Sequence, residues 1–228
     1  MTTLTEMAPI TRELPEVGFR PMRSVRWYKR FQAWALSLRS PRYDGFVAAR
    51  KLALLSPLKG TVLEIGPGAG ANLPFFRTDV RWIGIEPNPF VHAHLEATAT
   101  RLGRDIEVRT GSAEKLPIPS RSVDAVVGTL VLCSVRDPVA ALREVLRVLR
   151  PGGRFVFMEH VVARHRGPRR LLQRLLRPFW KVAADGCALD RDTAATISAA
   201  GFRSVVVDHF DLPIALIGPH IAGTAWAP

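Results

Sequence analysis

The stretch Thr61-Val62-Leu63-Glu64-Ile65-Gly66-Pro67-Gly68-Ala69-Gly70-Ala71-Asn72 constrains the fold more than any other part of the chain. A short apolar run reaches an acid and then breaks into alternating glycines, the pattern of a buried strand that turns sharply into a helix. Glycines at 66, 68 and 70 open backbone conformations that a Cβ forbids and let a ligand lie against the main chain. A dinucleotide site wants Gly-x-Gly-x-x-Gly, with a pyrophosphate resting on the helix N-terminus. Here the glycines alternate, Ala71 takes the last slot, and Glu64 stands two residues before the first glycine. A carboxylate at that turn suits a cation, since opposite unit charges ~4 Å apart attract by roughly 4 kcal/mol at an effective dielectric near 20.

S-adenosylmethionine carries an ammonium and a sulfonium, and Glu64-Ile65-Gly66-Pro67-Gly68-Ala69-Gly70 resembles the first motif of class I S-adenosylmethionine-dependent methyltransferases. The resemblance implies an α/β fold, a doubly wound, seven-stranded and mostly parallel sheet. It also implies S-adenosylmethionine as cofactor and S-adenosylhomocysteine as product, with Glu64, Gly66, Gly68, Gly70 and Asn72 at the loop. Val80 to Glu86 reads as a second strand ending in an acid, followed by Pro87-Asn88-Pro89. A carboxylate just past a strand's end can accept both hydrogen bonds from a ribose's paired hydroxyls, which assigns Glu86 to the ribose, with Pro87 and Asn88 beside it.

Val91 to Leu102 has helical period and Ile106 to Arg109 is a third strand. Gly111-Ser112-Ala113-Glu114-Lys115-Leu116-Pro117 resembles the family's third motif, with Ser112 where Asp is usual, and implies Ser112, Ala113 and Glu114 around the adenine. Ser122 to Val135 is a near-continuous apolar run, as expected of a central parallel strand buried on both faces. Thr129 and Leu130 should face the cofactor, and Cys133 stands where many relatives carry His. Asp137-Pro138 starts a helix with an N-cap and a first-turn proline. Leu149-Arg150-Pro151-Gly152-Gly153, the last general motif, ends that helix before a fifth strand, Arg154 to Met158.

The general motifs speak to the cofactor; the acceptor is read from the segments just past the strand ends and from the C-terminal third of the chain. Cys133-Ser134-Val135, Glu159-His160-Val161, the stretch from Pro178-Phe179-Trp180-Lys181 to Asp185-Gly186-Cys187, and Gly218-Pro219-His220-Ile221-Ala222-Gly223 together resemble the animal alkyl-thiol methyltransferases. Bacterial small-molecule thiol S-methyltransferases share the pattern. The resemblance implies methyl transfer to the thiol of a small molecule, a dithiol natural product or a xenobiotic thiol, in detoxification or self-protection. A thiol suits the chemistry, being intrinsically nucleophilic and a few per cent ionised at neutral pH. His160 and Asp185 are the candidate catalytic bases, the first because imidazole titrates near neutrality. Trp27, Phe31, Cys133, Trp180 and His220 are the candidate substrate contacts. An O- or C-methyltransferase of the quinone-biosynthesis type shares every general motif and is the alternative.

Before the first strand, Trp27, Phe31, Trp34 and Leu38 recur at helical spacing among Arg and Lys. By itself such a stripe reads as core or as a basic amphipathic helix touching a membrane; the resemblance implies an arm and lid over residues 1–55, ahead of a methyltransferase domain over 56–228. Lid helices are expected over 20–55 and 164–184, and two last strands near 203–210 and 215–226. The formal charge of +12 comes from dispersed arginines and, with no nucleic-acid signature, does not indicate a nucleic-acid partner. Cys133 and Cys187 are the two cysteines, with no Cys-x-x-Cys spacing, so neither a disulfide framework nor a metal is expected. No run is long enough to span a membrane and no signal peptide opens the chain, so a cytoplasmic monomer or homodimer without stable membrane insertion is expected.

Overall fold

The computed structural model describes Arg30 and residues 41–165, 167–184 and 186–228. Seven strands form one sheet: β1 (Thr61–Ile65), β2 (Arg81–Ile85), β3 (Glu107–Arg109), β4 (Val123–Thr129), β5 (Leu149–His160), β6 (Ser204–Asp211) and β7 (Pro219–Trp226). Their order is β3-β2-β1-β4-β5-β7-β6, with β7 antiparallel to both neighbours and the other described pairings parallel. The helices are α1 (Pro41–Leu55), α2 (Pro89–Arg101), α3 (Pro138–Val148), α4 (Pro168–Ala183) and α5 (Thr193–Ser198).

Alternation along each strand sends neighbouring side chains into opposite layers. Leu63, Ile83, Val126 and Phe155 pack on one face with Leu142 and Val145 of α3 and Ile197 of α5. Val62, Trp82, Val127 and Val156 pack on the other with Leu55 of α1 and Leu95 and Ala99 of α2. Burial on both faces is why these strands read as apolar runs rather than as alternating ones. The chain steps outward from β1 to β3 and then returns to place β4 on the other side of β1. The switch lies between β1 and β4, and the crevice at their C-terminal ends is where open α/β sheets take ligands.

Several boundaries differ from the sequence reading. Helix α1 begins at Pro41, a first-turn position that proline tolerates, inside the span expected for the lid. The first helix after β1 shrinks to one 3-10 turn, Leu73–Phe75, with Pro74 inside it. β5 starts at Leu149, five residues before the expected Arg154; its pairing with β4 shifts register across Pro151-Gly152-Gly153. β4 stops at Thr129 instead of running to Val135: Leu130 takes a left-handed φ of 57°, and the chain then turns. Helix α5 has no counterpart in the sequence reading. Trp27, Phe31 and Asp185 lie outside the described residues. No helix among the described residues is long and apolar enough to cross a membrane.

Candidate active site

The glycine loop leaves β1 at Ile65, and Gly66 donates its N–H to the Ile85 carbonyl of β2. Gly66 has φ 61°, and a Cβ there would stand 2.8 Å from Cγ2 of Val131, so both conformation and space exclude a side chain. Gly68, with φ 53°, has no atom within 4 Å of its missing Cβ. The loop is thus pinned at one glycine and open at the next, a cradle for a ligand lying on the main chain.

Beneath it lies Glu64, 1% exposed. Its Oε1 accepts from Nδ2 of Asn72 at 2.9 Å and its Oε2 from Nε1 of Trp82 at 3.0 Å. Burial pushes its carboxyl up to about 7, against the pull of these two donors and of Lys51. Trp82 can reach it because position 84 is glycine; a Cβ there would fall 2.3 Å from the indole. Asn72 is 2% exposed, its Nδ2 also donating to Oγ1 of Thr129 at 2.8 Å. The Asn72 Oδ1 is buried without a protein partner among the described residues. An acceptor in that state suits an ammonium.

Glu86 follows β2, 6% exposed, and its carboxylate accepts from Gly68 N at 3.1 Å and Asn88 N at 2.9 Å. Those bonds tie the strand end to the glycine loop. Asn88 caps α2, its side chain accepting from Phe90 N at 3.2 Å, while Pro87 is exposed. In the third motif Ser112 is exposed and Ala113 buried. Glu114 accepts from Arg136 N at 3.0 Å, which ties this loop to the start of α3. Leu130, 39% exposed, stands at the end of β4.

A second constellation occupies the ends of β4 and β5. Glu159, fully buried, accepts from three consecutive main-chain groups, Val131 N at 3.0 Å, Leu132 N at 2.9 Å and Cys133 N at 3.3 Å. This is the physical reason that β4 breaks: the carboxylate gathers the N–H groups of the turn instead of leaving them to a strand ladder. Burial raises Glu159 to about 7 although those donors pull it down. The turn presents Cys133, and Ala188 N donates to the Cys133 carbonyl at 2.9 Å, drawing the loop after α4 against it. Gly186 fits that approach, since a Cβ would lie 3.0 Å from the Ser134 carbonyl oxygen.

Cys187 therefore meets Cys133 and the last residue of β5, His160. The three donor atoms lie within 4.8 Å of one another, and all three residues are buried. His160 Nε2 is 2.8 Å from Cys187 Sγ, and Trp180 Nε1 donates to the same sulfur at 3.4 Å. The Cys133 hydrogen bond, followed by His160 and Trp180, outweighs burial and brings the Cys187 thiol down to about 5. Cys133, the donor of that pair, is pushed up. Burial pulls His160 down, but its contacts with Cys187 outweigh this and the net direction is up.

His220, 1% exposed, pairs in register with His160 across β5 and β7. Its Nδ1 lies 2.8 Å from the Gly218 carbonyl, so Nδ1–H donates and Nε2 accepts from the Tyr43 hydroxyl at 3.2 Å. Burial lowers its pKa, consistent with a neutral ring. Tyr43 brings α1 over this end of the sheet. Farther along, the Arg30 guanidinium lies 5.9 Å from the ring centroid of Phe90, at the start of α2.

Of the residues singled out from sequence, the structure gathers two hydrogen-bonded sets around the glycine loop, Asn72 with Glu64 and Thr129, and Glu86 with Gly68 and Asn88. Cys133, His160, Trp180 and His220 gather at the ends of β4, β5 and β7. Sequence reasoning missed Tyr43, Trp82, Glu159 and Cys187 as members. A signal existed for two of them: an acid closing the apolar strand Phe155-Val156-Phe157-Met158, and a tryptophan two residues before a glycine in a buried strand.

Residues 63–157 match the family model described as a methyltransferase domain. The human thiol S-methyltransferase TMT1A is 37% identical over 196 residues, 80% of this chain and 80% of that protein. Human thiol S-methyltransferase TMT1B is 32% identical over 210 residues, 86% of each. Among solved structures, a putative methyltransferase in complex with the Haloferax volcanii Trm112 activator superposes with a TM-score of 0.67 at 20% identity, covering 90% of this chain and 97% of that one.

Proposed function

This chain belongs to the thiol S-methyltransferase family of the S-adenosylmethionine-dependent methyltransferases, and from that premise we propose that it methylates the thiol of a small molecule. The observation that carries the acceptor half is the buried Cys133–His160–Cys187 group at the strand ends next to the glycine loop.

The residues fit the cofactor. Gly66 and Gly68 form an open cradle, the Asn72 Oδ1 is a buried acceptor suited to the methionyl ammonium, and Glu64 beneath it supplies negative charge. Glu86 would hold the ribose hydroxyls, while Pro87, Asn88, Ser112, Ala113 and Glu114 would border the adenosine. When bound, S-adenosylmethionine supplies an electrophilic methyl group on a sulfonium. Thr129 and Leu130, at the end of β4, would border that methyl group.

The chain's work is then alignment and exclusion of water, because a thiolate attacks unaided once in line. Tyr43, Trp180 and His220 would shape the acceptor pocket, and a lid containing Trp27 and Phe31 would close over it. His160, paired with Cys187, is the proposed acceptor of the thiol proton; Asp185 is the other candidate for that role.

A matched-pair assay tests the acceptor: rates with an aryl thiol and with the phenol of the same shape. The thiol should be strongly preferred, and preference for the phenol would overturn the reading. For the cofactor half, Glu86→Ala should weaken S-adenosylhomocysteine binding by about 2 to 4 kcal/mol, the loss of two charge-assisted hydrogen bonds. Unchanged affinity in calorimetry, with the fold intact, would reject the ribose role.

A further inference from the structure

Cys133, His160 and Cys187 come from three separate segments, the turn after β4, the end of β5 and the loop after α4, and no spacing motif announces them. Independent features of the fold converge to bring them together. Glu159 holds the turn that carries Cys133, the Ala188 N–H to Cys133 carbonyl bond sets the Cys187 loop, and Trp180 donates to the Cys187 sulfur. Both cysteines are free and buried. A disulfide would leave the histidine without a role. His160 keeps its Nδ1 buried without a protein partner among the described residues, so the ring is held from its Nε2 side alone.

We propose that Cys133, His160 and Cys187 bind one zinc ion through two sulfurs and one imidazole nitrogen, leaving the fourth coordination position for the acceptor thiol. Two thiolates and a neutral imidazole are a donor set that zinc favours, and three protein ligands with one open position are the pattern of catalytic rather than structural zinc. Zinc bonds of about 2.0 to 2.3 Å in a tetrahedron hold the donor atoms roughly 3.5 Å apart. The three donor atoms already lie within 4.8 Å of one another. The Trp180 N–H to sulfur bond is the kind of outer contact that orients a metal ligand.

The site deepens the thiol reading and rests on it only for the identity of the fourth ligand. A thiol that displaces water from the ion loses its proton to solvent and stays as a zinc-bound thiolate, so with the ion bound His160 serves as a ligand and the metal takes over the part of a base. A sulfur lone pair then forms the new bond to the methyl carbon as the carbon–sulfonium bond breaks, its electron pair remaining on the departing S-adenosylhomocysteine sulfur. The neutral thioether is a weak ligand, and water replaces it.

The test is elemental analysis of the full chain purified from zinc-supplemented medium. About one zinc per chain is expected. It should be lost in Cys133→Ala, His160→Ala and Cys187→Ala and kept in His209→Ala, whose histidine is exposed on β6. Circular dichroism and S-adenosylhomocysteine calorimetry report whether each variant is folded. Trp180→Phe should weaken zinc binding roughly 10- to 100-fold while leaving the stoichiometry at saturation unchanged.

Cobalt in the wild-type chain needs no variant to fold. It should give the visible bands of a tetrahedral ion and sulfur-to-cobalt charge transfer that grows when 2-mercaptoethanol is added. A folded wild-type chain with neither zinc nor cobalt bands overturns the proposal, as does zinc retained in all three ligand variants. Stoichiometric zinc without methylation of any thiol leaves the metal site standing and removes the acceptor reading. Undiminished thiol methylation by metal-free protein does the reverse.

Discussion

Replacing Glu64 by Gln tests how the floor of the proposed cofactor site is built. Glu64 is 1% exposed, and burial raises its carboxyl from 4.5 to about 7 in the folded chain. The folded state therefore holds a proton that the unfolded chain releases near pH 4.5. A group raised in this way contributes stability that is fully present below its unfolded pKa and is lost as pH climbs through the folded one. At roughly 1.4 kcal/mol per pH unit the difference amounts to about 3 kcal/mol, most of it lost between pH 5 and 7.

The Gln side chain cannot ionise and approximates the protonated state, so groups elsewhere cancel in the comparison. Without cofactor, Glu64→Gln should gain about 3 kcal/mol on wild type between pH 5 and pH 8, or roughly 6 to 12 °C in midpoint for a chain of this size. Denaturant and thermal melts of the two proteins across that range measure it. A difference that stays constant, or that moves in wild type's favour as pH rises, would refute the reasoning. Ligand binding is coupled to the same proton. An ammonium over Asn72 favours ionised Glu64, so S-adenosylhomocysteine binding near pH 6.5 should release protons. Calorimetry in buffers of different protonation enthalpy should show this for wild type and not for Glu64→Gln.

Gly66→Ala should destabilise by about 2 to 5 kcal/mol, combining left-handed strain with the contact to Val131, whereas Gly103→Ala, with the same φ of 61° and open space, should cost only about 1 to 2. Equal losses in denaturant melts would show that Val131 gives way freely. Glu159→Ala strands the N–H groups of Val131, Leu132 and Cys133, and should cost about 3 kcal/mol or more, read in the same melts; a loss under about 1 would deny Glu159 its hold on the turn. Deleting residues 1–40 should leave S-adenosylhomocysteine binding intact and slow turnover, by admitting water to the reacting groups; collapse of the fold would assign that segment to the core.

The general half of the fold is legible because strand identity and glycine position are local signals. Val80 to Glu86 and the loop from Gly66 to Gly70 announce themselves within a few residues, and the sheet has the seven, mostly parallel strands that the resemblance implies. The end of β4 is not legible. Val131, Leu132 and Val135 continue an apolar run that suits a strand, and what breaks it is the carboxylate of Glu159, 28 positions from Val131. The reach of Glu64 is hidden for a similar reason: its charge reads as facing the ligand, while Trp82 and Asn72, 18 and 8 positions away, occupy both oxygens. Cys187 looks like an inert apolar thiol because its partners, Cys133 and His160, become neighbours only when β4, β5 and the loop after α4 are assembled. Groups whose chemistry depends on long-range assembly leave little trace in local pattern.

If a methyl group passes from S-adenosylmethionine to sulfur, the identity of the methylated atom must show it. The enzyme would be incubated with methyl-deuterated S-adenosylmethionine and a panel of small thiols, phenols and quinones, and the products fragmented in a mass spectrometer. The label should appear on the sulfur of a thiol, with S-adenosylhomocysteine formed in equal amount. Label on the oxygen or carbon of a phenol or quinone, with every thiol recovered unchanged, would contradict it.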